Sequence, residues 1–190
     1  MPFRLAGSNG QRYGETMYIT EYALSSILST VGHRHPECGG KLYCPAEREN
    51  SIDLFELDPA SGQDHEIFAP DTDWGNERVE FWEQHPDRHL WSGDLHSHDS
   101  YQNGFLSPKI GQAKGDLGYI EAVFEYNMEL DKFFTPILTF DPDGIPVIWS
   151  WVCYRKELPD YFYAPLVVVK YREQLPRLTA KSKKNCGNGK

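Results

Sequence analysis

Residues 93–99 read Gly-Asp-Leu-His-Ser-His-Asp and set two imidazoles two positions apart. If the stretch closes a β-strand, His96 and His98 project to the same side, because strand side chains repeat every second residue. Neutral imidazole is a good zinc ligand, so the pair can share one divalent cation. Tetrahedral zinc then needs a carboxylate or thiolate as third ligand, and leaves the fourth position to water where the centre is catalytic. Asp116 stands where the next helical pattern begins, a place from which a carboxylate can turn back toward the strand end. Upstream, Glu37 precedes Cys38, Gly39 and Gly40. A carboxylate near a metal-activated water can accept its proton and later hand it to a leaving amine. Glycines beside it allow a strand or a substrate chain to approach closely. Each signal alone has a plainer reading. A His-x-His pair is more often made of surface or packing histidines, and Glu37 alone is more often a solvated loop acid.

The elements that must position these groups alternate in type. After Thr20, an N-cap residue, Ala23, Leu24, Ile27, Leu28 and Val31 recur at helical spacing, and Gly32 is expected to stop that helix. Residues 39–44 and 51–57 read as short strands, and 76–84 as a short helix carrying Val79, Phe81 and Trp82. Residues 89–95 read as a strand leading into His96, followed by a Gly/Pro/Ser-rich loop from Asp99 to about Gly111. A second strong helix is expected over 116–128, with Leu117, Ile120, Val123 and Phe124 along one side. Two β-rich runs, 133–140 and 147–154, are joined by Asp-Pro-Asp-Gly-Ile-Pro, which is turn chemistry, and 161–171 supplies a last run. The opening 14 residues read as an irregular lead-in. This order predicts an α/β or α+β layered domain with helices against a central sheet.

Composition narrows the function classes. With 190 residues, 39% hydrophobic and 25% charged, the chain holds one substantial domain, expected over residues 1–175. Mean hydropathy is −0.58, no apolar run approaches the length of a membrane span, and residues 1–15 lack a signal-peptide core, so a cytoplasmic location is expected. Four cysteines do not suggest a disulfide framework. Residues 170–190 hold seven Lys or Arg against Glu173 alone, a net of +6, which leaves −15 over residues 1–169. An acidic body argues against a nucleic-acid platform and is compatible with a basic protein partner, though a merely soluble acidic surface is commoner. The basic segment 176–190 has no apolar face and is expected to be disordered.

Other candidates carry less. His33, His35, Cys38 and Cys44 mix His and Cys at short spacing, but the Cys-x5-Cys interval is not that of a usual zinc knuckle. Cys153 reads as a small buried hydrophobe, and Trp82, Trp91, Trp149 and Trp151 as core. Trp74, in a polar loop, suits either packing or a partner contact.

Taken together, the order helix, Glu-x-Gly-Gly, Gly-x-x-His-x-His, a Ser-bearing loop and an Asp at a helix start resembles the JAB/MPN metalloprotease domain with its JAMM motif, particularly the prokaryotic members. The resemblance spans about residues 17–155, including the Phe133–Gly144 phrase that resembles the strand pair after the motif helix. It implies a curved mixed sheet flanked by helices, similar to the cytidine-deaminase-like three-layer sandwich. It implies Zn2+ on His96 and His98, Glu37 as general acid/base, and Ser107 positioning water or stabilising the oxyanion. The implied reaction is hydrolysis after the C-terminal glycine of a ubiquitin-like protein, whose extended tail would lie against a strand edge. The implied setting is maturation or deconjugation in a bacterial pathway, including those linked to phage defence, with the conjugating enzymes of the same operon as further partners. Two departures stand out. Asp99 follows His98 where the family has Pro, and Ile110 stands three residues after Ser107 where the family has its Asp. Asp116 is therefore the expected third ligand, with Asp99 second. If neither reaches, a catalytically silent scaffold is the alternative; a zinc hydrolase of small peptides or sulfur-carrier conjugates is another.

Overall fold

Alternation along the strands sorts the apolar side chains onto two faces, and helices with matching stripes cover both. The computed structural model describes residues 2–33, 37–48, 50–61, 70–98, 104–108 and 115–177. The strands are β1 (Arg4–Leu5), β2 (Met17–Thr20), β3 (Gly39–Pro45), β4 (Ser51–Ile52), β5 (Leu54–Leu57), β6 (His89–Ser97), β7 (Lys132–Phe134), β8 (Ile137–Phe140), β9 (Pro146–Trp149), β10 (Trp151–Tyr154), β11 (Tyr161–Tyr163) and β12 (Leu166–Val169). The helices are α1 (Glu21–Thr30), α2 (Thr72–Gln84) and α3 (Gly115–Tyr126).

β6 runs through the centre of a mixed sheet. Antiparallel β3 lies along one side of it, with β5 beyond. On its other side β7 and β8 pair in parallel, and are continued outward by antiparallel β10 and β9, then by β11 and β1. β12, β2 and β4 form a separate parallel sheet. Leu95, Phe134, Leu138, Ile148 and Val152 share one apolar cluster with Ala23, Leu24, Ile27 and Leu28 of α1. Phe133, Ile137, Trp151 and Cys153 share the other with Leu117, Ile120, Val123 and Phe124 of α3. Adjacent residues such as Phe133 and Phe134 thus enter opposite cores, which is the period of two expected of strands covered on both faces. α2 caps the α3 side of β3 and β6, where its Trp82 ring lies 6.2 Å from that of Tyr43. The result is the expected mixed sheet flanked by helices on both faces.

Local chemistry explains most boundaries. The Thr20 side chain accepts from the Ala23 N–H and caps α1, and Asp71 does the same for α2 through the Trp74 N–H. Capping at Asp71 starts α2 four residues before the pattern suggested. Gly32 is no left-handed stop: α1 tightens into a 3-10 turn over Val31–His33. The run 51–57 divides at Asp53, β4 joining β2 while β5 joins β3. Likewise 133–140 breaks at Thr135 and Pro136, and 147–154 breaks at Ser150. The lead-in is not wholly irregular, since Arg4 and Leu5 pair with Val147 and Ile148.

Two close approaches fix β6. Its pairing with β3 shifts between Leu42 and Tyr43, so Ser92 is an extra residue, and Trp91 turns onto the same face as Asp94. At Gly93 the backbone of β7 comes so near that an added Cβ would stand 2.0 Å from the Phe134 carbonyl oxygen. No flexible side chain is available there to yield. Gly93→Ala is accordingly expected to destabilise the protein by about 1–3 kcal/mol or more. Gly7→Ala, where a Cβ meets nothing within 4 Å, is the control and should stay within about 0.5 kcal/mol of the parent. Urea unfolding of both variants checks this, and equal midpoints would refute the close-packing argument.

Candidate metal centre

His96 sits next to last in β6, and His98 follows its end. The strand period carries Asp94, His96 and His98 onto the α3 face, while Leu95 points into the α1 core. Backbone bonds hold this end straight: the His98 N–H donates to Leu138 O at 2.9 Å, and the Ser97 N–H donates to Cys38 O at 2.7 Å. The Cys38 N–H in turn donates to Ser97 Oγ at 2.9 Å.

The third member arrives from α3. Asp116, in the first turn of that helix, places Oδ1 at 3.1 Å from His96 Nε2 and Oδ2 at 3.6 Å from His98 Nε2. The two Nε2 atoms are 3.0 Å apart. Four ligands about 2.0–2.1 Å from a zinc ion at tetrahedral angles lie about 3.3 Å from one another. Taking one ligand atom from each residue, the three lie within 4.8 Å of one another, close enough to converge on a single cation. One carboxylate and two imidazoles also leave a single negative charge toward a divalent ion and one position open. His96, His98 and Asp116 are the group that could hold a metal among the described residues.

Ser107 fixes the carboxylate. Its N–H and Oγ–H both donate to Asp116 Oδ2, at 2.7 and 2.8 Å, and its Oγ accepts from the Asp116 N–H at 2.8 Å. The Leu117 N–H donates to Ser107 O at 3.1 Å. Ser107 thus satisfies two of the open N–H groups of the helix start, those of Asp116 and Leu117, and orients the Asp116 side chain. Gly115 makes this junction possible, with a positive φ of 52° and room for no Cβ, which would lie 2.5 Å from Pro108 O. The segment 104–108 is itself pinned: the Trp151 indole N–H donates to Gly104 O at 2.6 Å, and Leu106 is buried in the α3-side core.

Burial by itself would push the Asp116 carboxyl up. Hydrogen bonds to His96 and His98, the charge of His96 and the Ser107 N–H more than reverse that, and hold it far below the ordinary carboxylate range. It is a committed anion at any physiological pH. Nearby, burial and then the Asp116 charge push the Cys153 thiol up to about 12, as expected of a buried hydrophobe rather than a nucleophile.

The structure therefore brings His96, His98, Asp116 and Ser107 together, although eight residues separate the last two. Glu37 lies on the neighbouring strand path. Gly39 pairs with His96 and Cys38 bonds Ser97, so half-buried Glu37 stands two residues beyond the end of that ladder, on the side toward His98. Asp99 lies outside the described residues, as does His35. Cys38 is buried in the α1-side core, and with five strand residues between them it stands about 20 Å from Cys44, so the two cannot share a metal. Three groups went unremarked in the sequence: Asp94, Tyr119 and Lys41. Their signal was an acid at an inward position of the central strand facing a basic residue on the next.

No protein-family model matches the sequence, and no curated protein matches it. Among solved structures the chain is similar to the protein DSY2949 of Desulfitobacterium hafniense, determined in solution. Identity is 15% and the TM-score 0.55, over 82% of this chain and 94% of that one. It is also similar to AF2198, a JAB1/MPN domain protein from Archaeoglobus fulgidus, at 17% identity and a TM-score of 0.41, over 80% of this chain and 99% of that one. The first likeness is one of fold, and the second is too loose to add to it.

Proposed function

We propose that this chain is a zinc-dependent hydrolase of peptide or isopeptide bonds, of the JAMM type, acting after the C-terminal glycine of a ubiquitin-like protein. The observation that carries the reading is the convergence of two imidazoles at the end of β6 and one carboxylate from α3, with one ligand atom from each within 4.8 Å of the others. The order of Glu37, His96, His98, Ser107 and Asp116 along the chain supports the choice among zinc hydrolases. A bacterial modifier pathway, with its conjugating enzymes as further partners and phage defence as one setting, belongs to the same proposal.

His96, His98 and Asp116 would hold the ion. Zinc in that position supplies Lewis acidity toward a carbonyl and makes water ionise near neutral pH. The protein's own groups do the rest. The Glu37 carboxylate takes a proton from the attacking water and delivers it to the leaving nitrogen, so one group serves as base and then acid. Ser107 keeps Asp116 turned toward the histidines. Its single hydroxyl proton is committed to Asp116 Oδ2, so it assists water or an oxyanion by donation only when that bond is exchanged. Gly39, opposite His96, puts no side chain beside the first ligand.

The scaffold alternative was motivated by the long Ser107-to-Asp116 spacing. That spacing does not part the two residues, so hydrolysis is the better-supported reading.

Two measurements test it. Purified protein is expected to carry about one zinc per chain, and His96→Ala to lose it; a parent protein that takes up no zinc from excess would sink the reading. Glu37→Gln is expected to keep the metal and cut a C-terminal-glycine modifier fusion at least about 100-fold more slowly. Cleavage at the parent rate would remove Glu37 from the mechanism. Activity on short peptides with none on folded fusions would redirect the substrate class.

A further inference from the structure

Next to the three candidate ligands, on the same face of β6, lies a polar group that the reaction does not use. Asp94 is buried, two residues before His96. Its Oδ2 accepts from the Tyr119 hydroxyl at 2.5 Å, and its Oδ1 accepts from the Trp91 indole N–H at 2.8 Å. Lys41, equally buried on β3, stands 3.7 Å from Oδ1 and 4.1 Å above the Trp91 ring. The ammonium compensates the carboxylate, and the ring shields both from water. A buried, fully partnered group of this kind is rigid.

Its geometry repeats that of the metal centre one step away. Tyr119 lies three residues after Asp116 and so on the same side of α3. Asp94 lies two residues before His96 and so on the same side of β6. Helix and strand are therefore joined at two neighbouring points, Asp116 to His96 and Tyr119 to Asp94. Ser107 turns the Asp116 carboxylate, but it is on a segment rather than on the sheet, and it cannot set the distance of the helix from β6. The Tyr119–Asp94 bond can. The Ser92 bulge that turns Trp91 onto this face brings the brace for Asp94 within reach.

We propose that Asp94 and Tyr119 are positioning residues of the metal centre: their bond, braced by Lys41 and Trp91, holds α3 at the height over β6 that lets Asp116 complete a site with His96 and His98. This rests on the metal-centre reading above for its consequence, though not for its geometry. Removing the hydroxyl leaves the aromatic packing of Tyr119 and every ligand in place, while freeing the helix start to move.

Tyr119→Phe in the full chain tests it with two readouts. The first is zinc affinity, measured by competition with a chromogenic chelator. It is expected to weaken by about 10- to 100-fold, the range for losing a group that orients a ligand. Thermal unfolding of the metal-free variant reports separately on stability. The second is a metal-free crystal structure, in which Asp116 Oδ1 is expected to withdraw from its 3.1 Å contact with His96 Nε2. Should the variant fail to fold, Asp94→Leu with Lys41→Met, which removes the acceptor for the Tyr119 hydroxyl together with the charge it compensates, takes its place with the same expectations. A variant that melts earlier but binds zinc as tightly as the parent, with Asp116 unmoved, would overturn the proposal by showing a purely structural bond. A parent that takes up no zinc would overturn the hydrolase reading instead. The metal-free Asp116–His96 contact then decides the positioning role alone, withdrawal sustaining it and an unmoved Asp116 ending it.

Discussion

Everything at the functional end of this molecule depends on an ionised carboxylate held against two imidazoles at the edge of the core. Asp116 is only about one-fifth exposed, and an unpaired charge at such a depth would be strongly unfavourable. Its neighbours remove that penalty: two ring nitrogens from the strand, the Ser107 N–H and hydroxyl from the preceding segment, and the dipole of its own helix start. The group is also asymmetric. Ser107 works only on Oδ2, so Oδ1 is left to His96 and to whatever the histidines share. A carboxylate fixed in this way and facing paired imidazoles is suited to a cation.

That requirement reaches back into the fold. Imidazoles at alternate positions share a face only if β6 stays extended to its last residue, and bonds from β3 and β8 on both sides keep it so. Asp116 meets them only if α3 begins beside the strand end, which demands a residue with positive φ and no Cβ at 115. The apolar stripe of the helix packs on Phe133, Ile137 and Trp151 and keeps it against the sheet, the Tyr119–Asp94 bond fixes it at the site end, and Trp151 also anchors the segment carrying Ser107. The α3-side core is therefore both the hydrophobic support of the sheet and the jig for the site.

What was legible in the sequence was what local periodicity and spacing encode. α1 and α3 follow from their apolar stripes, the central strand from its run into His96, and the facing pair of histidines from the period of two. Asp116 could be named because a helix start is a local signal. The breaks were not legible. Asp53, Pro136 and Ser150 divide apparent single strands because neighbouring strands leave one partner and join another, a choice made by tertiary pairing. β1 and the first strand of the small sheet were missed for the same reason, being too short to carry a pattern. Asp94 and Lys41 carry no local signal of their own. Only the register between β3 and β6, shifted at Ser92, brings them together.

The same register bears on how proton transfer and ligand binding are divided. β3 begins at Gly39, opposite His96, and Glu37 stands two residues before it, beyond the Cys38 that bonds Ser97. A carboxylate adjacent in this sense belongs to a different strand from every ligand, and its position is set by β3 pairing rather than by α3. Under the proposed function, the ligand set and the proton carrier would belong to different parts of the structure. Ser107 sits on the first side of that division, because its only hydroxyl proton is spent on the ligand carboxylate. Glu37 belongs to neither the ligand set nor the Ser107 contacts, and under the proposed function it is the group that would carry the proton.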